Sequence, residues 1–129
     1  MKNMIYILFS VLIMSACQNI STENQQVTNG VFETISKVDF EKKMKEKIDH
    51  ILIDVRTPSE FQAGTIGNAK NINWNDTNFA TEISKLEKNK PLFIFCQKGG
   101  RSGKALKKIK RLGFQEVYDL KGGYGDWKN

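Results

Sequence analysis

Histidine and cysteine, the side chains that most often carry nucleophilic and metal chemistry, are scarce in this chain. His50 is the sole histidine, and Cys17 and Cys96 are the two cysteines. His50 precedes an apolar run and has no motif partner, so Ser-His-Asp and Cys-His arrangements lack support. No His/Cys cluster has the spacing of a metal site, and neither a metal nor a cofactor is expected. Two cysteines, so far apart, do not make the disulfide framework of a small secreted scaffold. A base-reading motif and an aromatic-plus-basic RNA-binding signature are both missing, which argues against a nucleic-acid partner. The net charge of +6 is modest; it favours anionic partners without separating small anions from larger ones. With 129 residues, 40% hydrophobic and 26% charged, the composition is that of one ordinary globular domain.

The first residues read as an export signal. Lys2 supplies a positive start, and Met4 to Ala16 is an apolar stretch of thirteen residues broken by Ser10 and Ser15. That length suits a signal peptide and is short for a membrane span. Met14-Ser15-Ala16-Cys17 resembles the lipobox of bacterial lipoproteins, in which the cysteine is lipidated and becomes the mature N-terminus. Met14 stands where leucine is commonest. The expected division is a signal peptide over 1–16, a lipidated Cys17 with a flexible linker through 30, and one folded domain over 31–129. Such a protein would face the periplasm at the bacterial cell envelope, held to the membrane through its lipid anchor only. Lipidation also withdraws Cys17 from thiol chemistry. A plain signal peptide with an incidental cysteine is the alternative. Cys96 is then the one free thiol, and an unpaired cysteine in an exported protein is a candidate reactive group.

From Gln18 to Gly30 there are no aromatics and no periodicity, the composition of a tether. Val31 to Ile35 reads as a short strand. Ser36 with Asp39 is close to a capping box, and Val38, Phe40, Met44 and Ile48 predict the inner side of the following helix. Ile51 to Val55, apolar except for Asp54, reads as a buried parallel strand. Thr57-Pro58-Ser59-Glu60 is a stronger helix start, and that helix ends around Gly64. Ala69 to Asn73 is a brief strand, and Phe79, Ile83 and Leu86 mark another helix. Leu92 to Phe95 is a strand. Gly103 to Leu112 is a helix with Ala105, Leu106, Ile109 and Leu112 inward and Gly113 as its stop. Val117 to Leu120 is the last strand. Gly122-Gly123 makes a turn before a segment bearing Tyr124 and Trp127, which read, with Trp74, as core or pocket wall. Alternating strands and helices predict an α/β domain, an open and mostly parallel sheet with helices on both faces.

The chain is organised around Pro91 to Ser102. An apolar run ends on Cys96, the loop Gln97-Lys98-Gly99-Gly100-Arg101-Ser102 follows, and a helical pattern begins. This order presents one thiolate to backbone N–H groups and to the positive end of a helix dipole, outside the carboxyl end of a strand where ligands bind in such sheets. Helix N-termini and nearby cations lower a cysteine pKa from about 8.5 towards 7 or below. Arg101 offers a fork of donors suited to oxyanions, and Lys98 can steer anions. Seven basic residues and no acidic one lie between Cys96 and Gln115. Lys107, Lys108, Lys110 and Arg111 read as a solvated helix face; Lys98, Arg101 and Lys104 are close enough to the thiol to matter.

Several segments together resemble the rhodanese family. Leu52-Ile53-Asp54-Val55-Arg56, Glu60-Phe61, Gly64-Thr65-Ile66, Gly67-Asn68-Ala69 and Asn71-Ile72 resemble its first signature. Cys96 to Ser102 resembles its active-site loop, and Leu120-Lys121-Gly122-Gly123 with Trp127 its closing motif. Thr65 stands where the family commonly has histidine. The resemblance covers 31–129 and implies a three-layer α/β/α domain on a mostly parallel five-stranded sheet. It implies a thiosulfate sulfurtransferase-like enzyme. Cys96 takes sulfane sulfur from a small anionic donor such as thiosulfate, holds it as a persulfide, and passes it to a thiophilic acceptor. Gln97, Lys98, Gly99, Gly100, Arg101 and Ser102 form the substrate cradle, while Asp54 and Arg56 support the fold and loop through buried pairing. A cysteine phosphatase or arsenate reductase is the rival enzyme, since cell-cycle phosphatases share this fold, with seven residues from cysteine to arginine for a phosphoryl-sized oxyanion. Cys96 to Arg101 spans six, the span the family uses for sulfur. A non-catalytic sulfane-sulfur carrier or binding module is the remaining alternative, since a thiol oxidoreductase lacks a nearby resolving cysteine.

Overall fold

The strand segments pair into a single sheet. They are β1 (Val31–Ile35), β2 (Ile51–Asp54), β3 (Lys70–Asn71), β4 (Leu92–Phe95) and β5 (Glu116–Leu120), in the spatial order β1-β5-β4-β2-β3. Every pairing is parallel. The computed structural model describes residues 29–129; the expected signal peptide, Cys17 and most of the expected linker lie outside the described residues. No described helix is long and apolar enough to cross a membrane.

Burial explains the strand sequences. All four residues of β4 are buried, because β4 lies between β5 and β2 and both its faces are covered. Successive side chains alternate. Leu92 and Ile94 therefore join Ile53, Val55 and Val117 beneath Phe79 and Ile83 of α3 (Phe79–Ser84) and Ala105 and Ile109 of α4 (Gly100–Arg111). Phe93 and Phe95 join Leu52, Tyr118 and Leu120 on the other face. That face packs against α1 (Lys37–Glu46) and α5 (Gly123–Trp127) through Phe40, Met44, Tyr124 and Trp127. Phe40 meets Phe93 edge-on at 5.1 Å, a geometry worth about 0.5–1.5 kcal/mol beyond burial. The result is three α/β/α layers on a five-stranded sheet.

Three local expectations need correction. On α1, Phe40 is buried but Val38 is 73% and Ile48 89% exposed. Val38 sits about 200° around the helix from Phe40, and Ile48 lies beyond the last helical residue, Glu46; the real inner stripe is Phe40 with Met44. The helix expected from Gly103 begins at Gly100, so Arg101 and Ser102 belong to its first turn. Gly123, expected in a turn with Gly122, instead opens a short helix, α5, that carries Tyr124 and Trp127. His50 is structural: its Nδ1 lies 2.6 Å from the Lys47 carbonyl and its ring meets Phe93 edge-on.

The β2–α2 connection follows its sequence closely. Thr57 caps α2 (Pro58–Gln62) through a complete capping box with Glu60, and Pro58 starts the helix. This fixes Glu60 at a defined place beside the carboxyl ends of the strands.

Candidate active site

Cys96 directly follows β4 and is 1% exposed. Gly99 then adopts φ +101°, a conformation open to glycine and strained for other residues, and the chain turns at once into α4. This turn aims N–H groups at the sulfur. The Gly99 N–H donates to Cys96 Sγ at 3.1 Å and the Ser102 hydroxyl at 3.4 Å. Burial alone would push the thiol up. The Ser102 hydroxyl and the N–H groups of Ser102, Lys98 and Gly99 outweigh it, so the net direction is down. A lowered thiol pKa raises the fraction of thiolate, the nucleophilic form.

The loop is held from behind by α5. The Tyr124 N–H donates to the Cys96 carbonyl at 2.8 Å and the Gly125 N–H to the Gln97 carbonyl at 2.9 Å. This approach requires Gly123, where a Cβ would stand 2.8 Å from the Gln97 backbone.

Asp54 and Arg56 form a buried pair, 0% and 2% exposed. Arg56 Nη2 meets Asp54 Oδ2 at 2.7 Å, and Arg56 Nε donates to Oδ1 at 3.0 Å. Thr65 Oγ1 donates to Asp54 Oδ2 at 2.9 Å, so threonine at this position still serves the carboxylate. The remaining guanidinium donors reach the Gln97 side-chain oxygen at 3.1 Å and the Gly64 carbonyl at 2.5 Å. The guanidinium also lies over the Tyr124 ring at 4.1 Å. Asn71 Nδ2 donates to the carbonyls of both Asp54 and Arg56 at 2.9 Å. Removing one partner of such a pair strands a buried charge, typically about 3–5 kcal/mol.

The site residues named from sequence thus divide. Cys96, Gly99 and Ser102 come together around the sulfur, with the Lys98 N–H contributing. The Lys98 side chain is exposed. The Gln97 side chain is turned to Arg56, so it braces the loop. Gly100 opens α4 with nothing near where a Cβ would stand. Arg101 carries a partner that sequence reading did not identify. Its Nη1 and Nη2 each donate to a Glu60 carboxylate oxygen at 2.8 Å, across a separation of 41 residues. That contact holds Glu60 at about 2 instead of its ordinary 4.5, against the opposing effect of burial and with help from Thr57. Arg101 is itself raised, first by Glu60, with the charges of Cys96 and Asp54 adding to it. Among the described residues no group of three or more His, Cys, Asp and Glu is placed to hold a metal.

Residues 37–129 match the family model of the rhodanese-like domain. The uncharacterized protein YqhL of Bacillus subtilis is 38% identical over 76 residues, covering 59% of this chain and 59% of its own length. The thiosulfate sulfurtransferase GlpE of Pseudoalteromonas translucida is 29% identical over 86 residues, covering 67% of this chain and 80% of its own. Among solved structures, a rhodanese-related protein from Thermoplasma volcanium superposes with a TM-score of 0.65 at 28% identity, covering 75% of this chain and 91% of its own.

Because the folded pKa of Glu60 lies below its unfolded value, its contribution to stability is full above about 4.5 and disappears as pH falls towards about 2. Glu60→Gln keeps a capping-box residue and removes the charge. Urea midpoints against pH should show the wild type losing more stability than E60Q across that window. Parallel curves would contradict the pairing.

Proposed function

The chain belongs to the rhodanese-like domain family, and on that premise we propose that it is a thiosulfate sulfurtransferase-like enzyme working through a Cys96 persulfide. The observation that carries this reading is the Gly99 N–H and Ser102 hydroxyl converging on Cys96 Sγ at the start of α4. In the proposed reaction the Cys96 thiolate attacks the outer, sulfane sulfur of a donor such as thiosulfate. A bond forms from Sγ to that sulfur, the donor's own S–S bond breaks, and sulfite leaves with the electron pair. The anionic persulfide sits among the N–H groups that held the thiolate, donors of the kind that stabilise developing charge. A thiophilic acceptor then attacks the terminal sulfur, and the electron pair of the breaking bond returns to Sγ.

Arg101 and Lys98 are the cations proposed to draw the anionic donor. Arg101 engages it by exchanging the Glu60 carboxylate for donor oxygens, since both present the same bidentate geometry. The occupied Arg101 fork also favours a second reading, a sulfane-sulfur carrier or binding module loaded by a donor other than thiosulfate. We further propose that residues 1–16 are a signal peptide and that lipidated Cys17 anchors the domain at the periplasmic side of the cell envelope, on the lipobox-like Met14-Ser15-Ala16-Cys17.

With thiosulfate and cyanide, the protein should form thiocyanate, and Cys96→Ser should form none. Arg101→Ala should lower kcat/KM for thiosulfate by about 10- to 100-fold, the loss of charge-assisted bonds worth about 1.5–3 kcal/mol. Thiocyanate at the Cys96→Ser level in the wild type would rule out thiosulfate as donor. For the anchor, cells expressing the full chain should incorporate radiolabelled palmitate, and globomycin should block processing. Labelling that survives Cys17→Ser would overturn the lipoprotein assignment.

A further inference from the structure

Asp119 is a buried carboxylate beside the cradle that the sulfur-transfer steps above do not use. It lies in β5 opposite Thr34 of β1 and Ile94 of β4 and is 1% exposed. Thr34 Oγ1 donates to its Oδ2 at 3.0 Å. Its Oδ1 is buried with no hydrogen-bond partner. An unpartnered buried carboxylate oxygen is costly and needs an explanation. Alternation along β5 sends Asp119 to the same face as Val117, towards α4. There a Cβ on Gly103 would stand 3.9 Å from Oδ2, and the Ser102 hydroxyl lies close enough to favour the charged carboxylate.

Ser102 is fully buried and has one hydroxyl proton to give. In this conformation the proton is directed to Cys96 Sγ and the Gly99 carbonyl, each at 3.4 Å, and no well-formed bond runs to Asp119. Three acceptors therefore surround one donor, and one of the three is the reacting sulfur.

We propose that Asp119 is a positioning residue for the reacting thiolate, acting through Ser102 by deciding which acceptor receives the Ser102 proton. When Asp119 is protonated, its own O–H donates to Ser102 Oγ and the Ser102 proton turns to Sγ. The chain of donors ends on the thiolate. When Asp119 is ionised, it takes the Ser102 proton, the sulfur keeps the loop N–H groups alone, and the carboxylate charge opposes the thiolate. Both effects have one sign, so protonation of Asp119 and ionisation of Cys96 favour each other, and the two groups titrate as a coupled pair. The groups against Asp119 are Thr34 from β1, Ile94 from β4, and Ser102 with Gly103 from α4, with Cys96, two residues on from Ile94, reached through the Ser102 hydroxyl. Cys96 is the titratable one among them. Burial raises Asp119 to about 6, the Ser102 and Thr34 hydroxyls working against the rise, and no cation among the described residues offsets it.

This inference rests on Cys96 as the reacting thiolate. Its test reads the thiol rather than sulfur transfer, so a failure of either reading is seen separately. The full chain is alkylated with iodoacetamide across a pH series, and the Cys96 peptide is quantified by mass. The wild type should show an inflection near about 6 below the main thiol midpoint. Asp119→Asn should remove that inflection and lower the main midpoint by about one pH unit, about tenfold in thiolate fraction. In a Ser102→Ala background the same substitution should move the midpoint by less than half as much, and Ser102→Thr, which restores a hydroxyl, should recover the larger shift. A merely structural role for Asp119 would change stability and leave the midpoint in place. An unmoved midpoint, or an equal shift in the Ser102→Ala background, overturns the proposal. Should Asp119→Asn fail to fold, carboxyl-carbon NMR of Asp119 should show its midpoint rising in Ser102→Ala, and an unchanged midpoint is equally decisive against the proposal.

Discussion

The buried ion pair between Asp54 and Arg56 is the constraint on which the site depends. Taking two charges out of water costs several kcal/mol per ion unless the remaining donors and acceptors are satisfied. Here they are met by Thr65, Gly64 and Gln97, with the Tyr124 ring under the guanidinium. Those partners come from the chain after α2, the Cys96 loop and α5. One guanidinium thereby fixes three segments relative to the end of β2, and two of them, the Cys96 loop and α5, hold Cys96 directly. The pair contributes geometry more than net stability, and the cysteine loop inherits that geometry.

Within this frame the charges near the sulfur are arranged in opposition. The loop N–H groups and the Ser102 hydroxyl favour the thiolate against its burial. Glu60 holds Arg101 in a two-point contact, so this guanidinium is paired in the structure, and in the proposed reaction an anionic donor takes the place of the carboxylate. Asp119, behind Ser102, pulls the other way. A thiolate stabilised without limit would be a poor nucleophile, because nucleophilicity falls with pKa. In the proposed arrangement, competing acceptors around one hydroxyl limit that stabilisation.

What is legible in the sequence and what is not follows from chain distance. The buried β4 run, Cys96, the glycine loop and the Thr57–Glu60 capping box are local patterns, and each occurs where its residues are adjacent. The inner stripe of α1 is misread when four apolar residues are counted without their angular positions; Phe40 and Met44 share a face that Val38 does not. The start of α4 reads three residues late because Gly100 and Gly103 are poor helix formers, whereas helix and loop are joined there through the sulfur. Glu60 is legible as a capping residue but not as the partner of Arg101, 41 residues away. Asp119 is visible as a charge within an apolar strand. Its relation to Thr34, 85 residues away, and to Ser102 needs the order β1-β5-β4.

Sulfur transfer through this site requires above all that Cys96 hold a sulfane sulfur. The full chain, exposed in turn to thiosulfate, inorganic polysulfide and a low-molecular-weight persulfide, then digested and weighed, should yield a Cys96 peptide heavier by one sulfur atom. Cyanide should remove that atom and return the unmodified peptide. A Cys96 peptide that gains no sulfur from any of the three donors, in protein that is folded, would contradict sulfur transfer through this site.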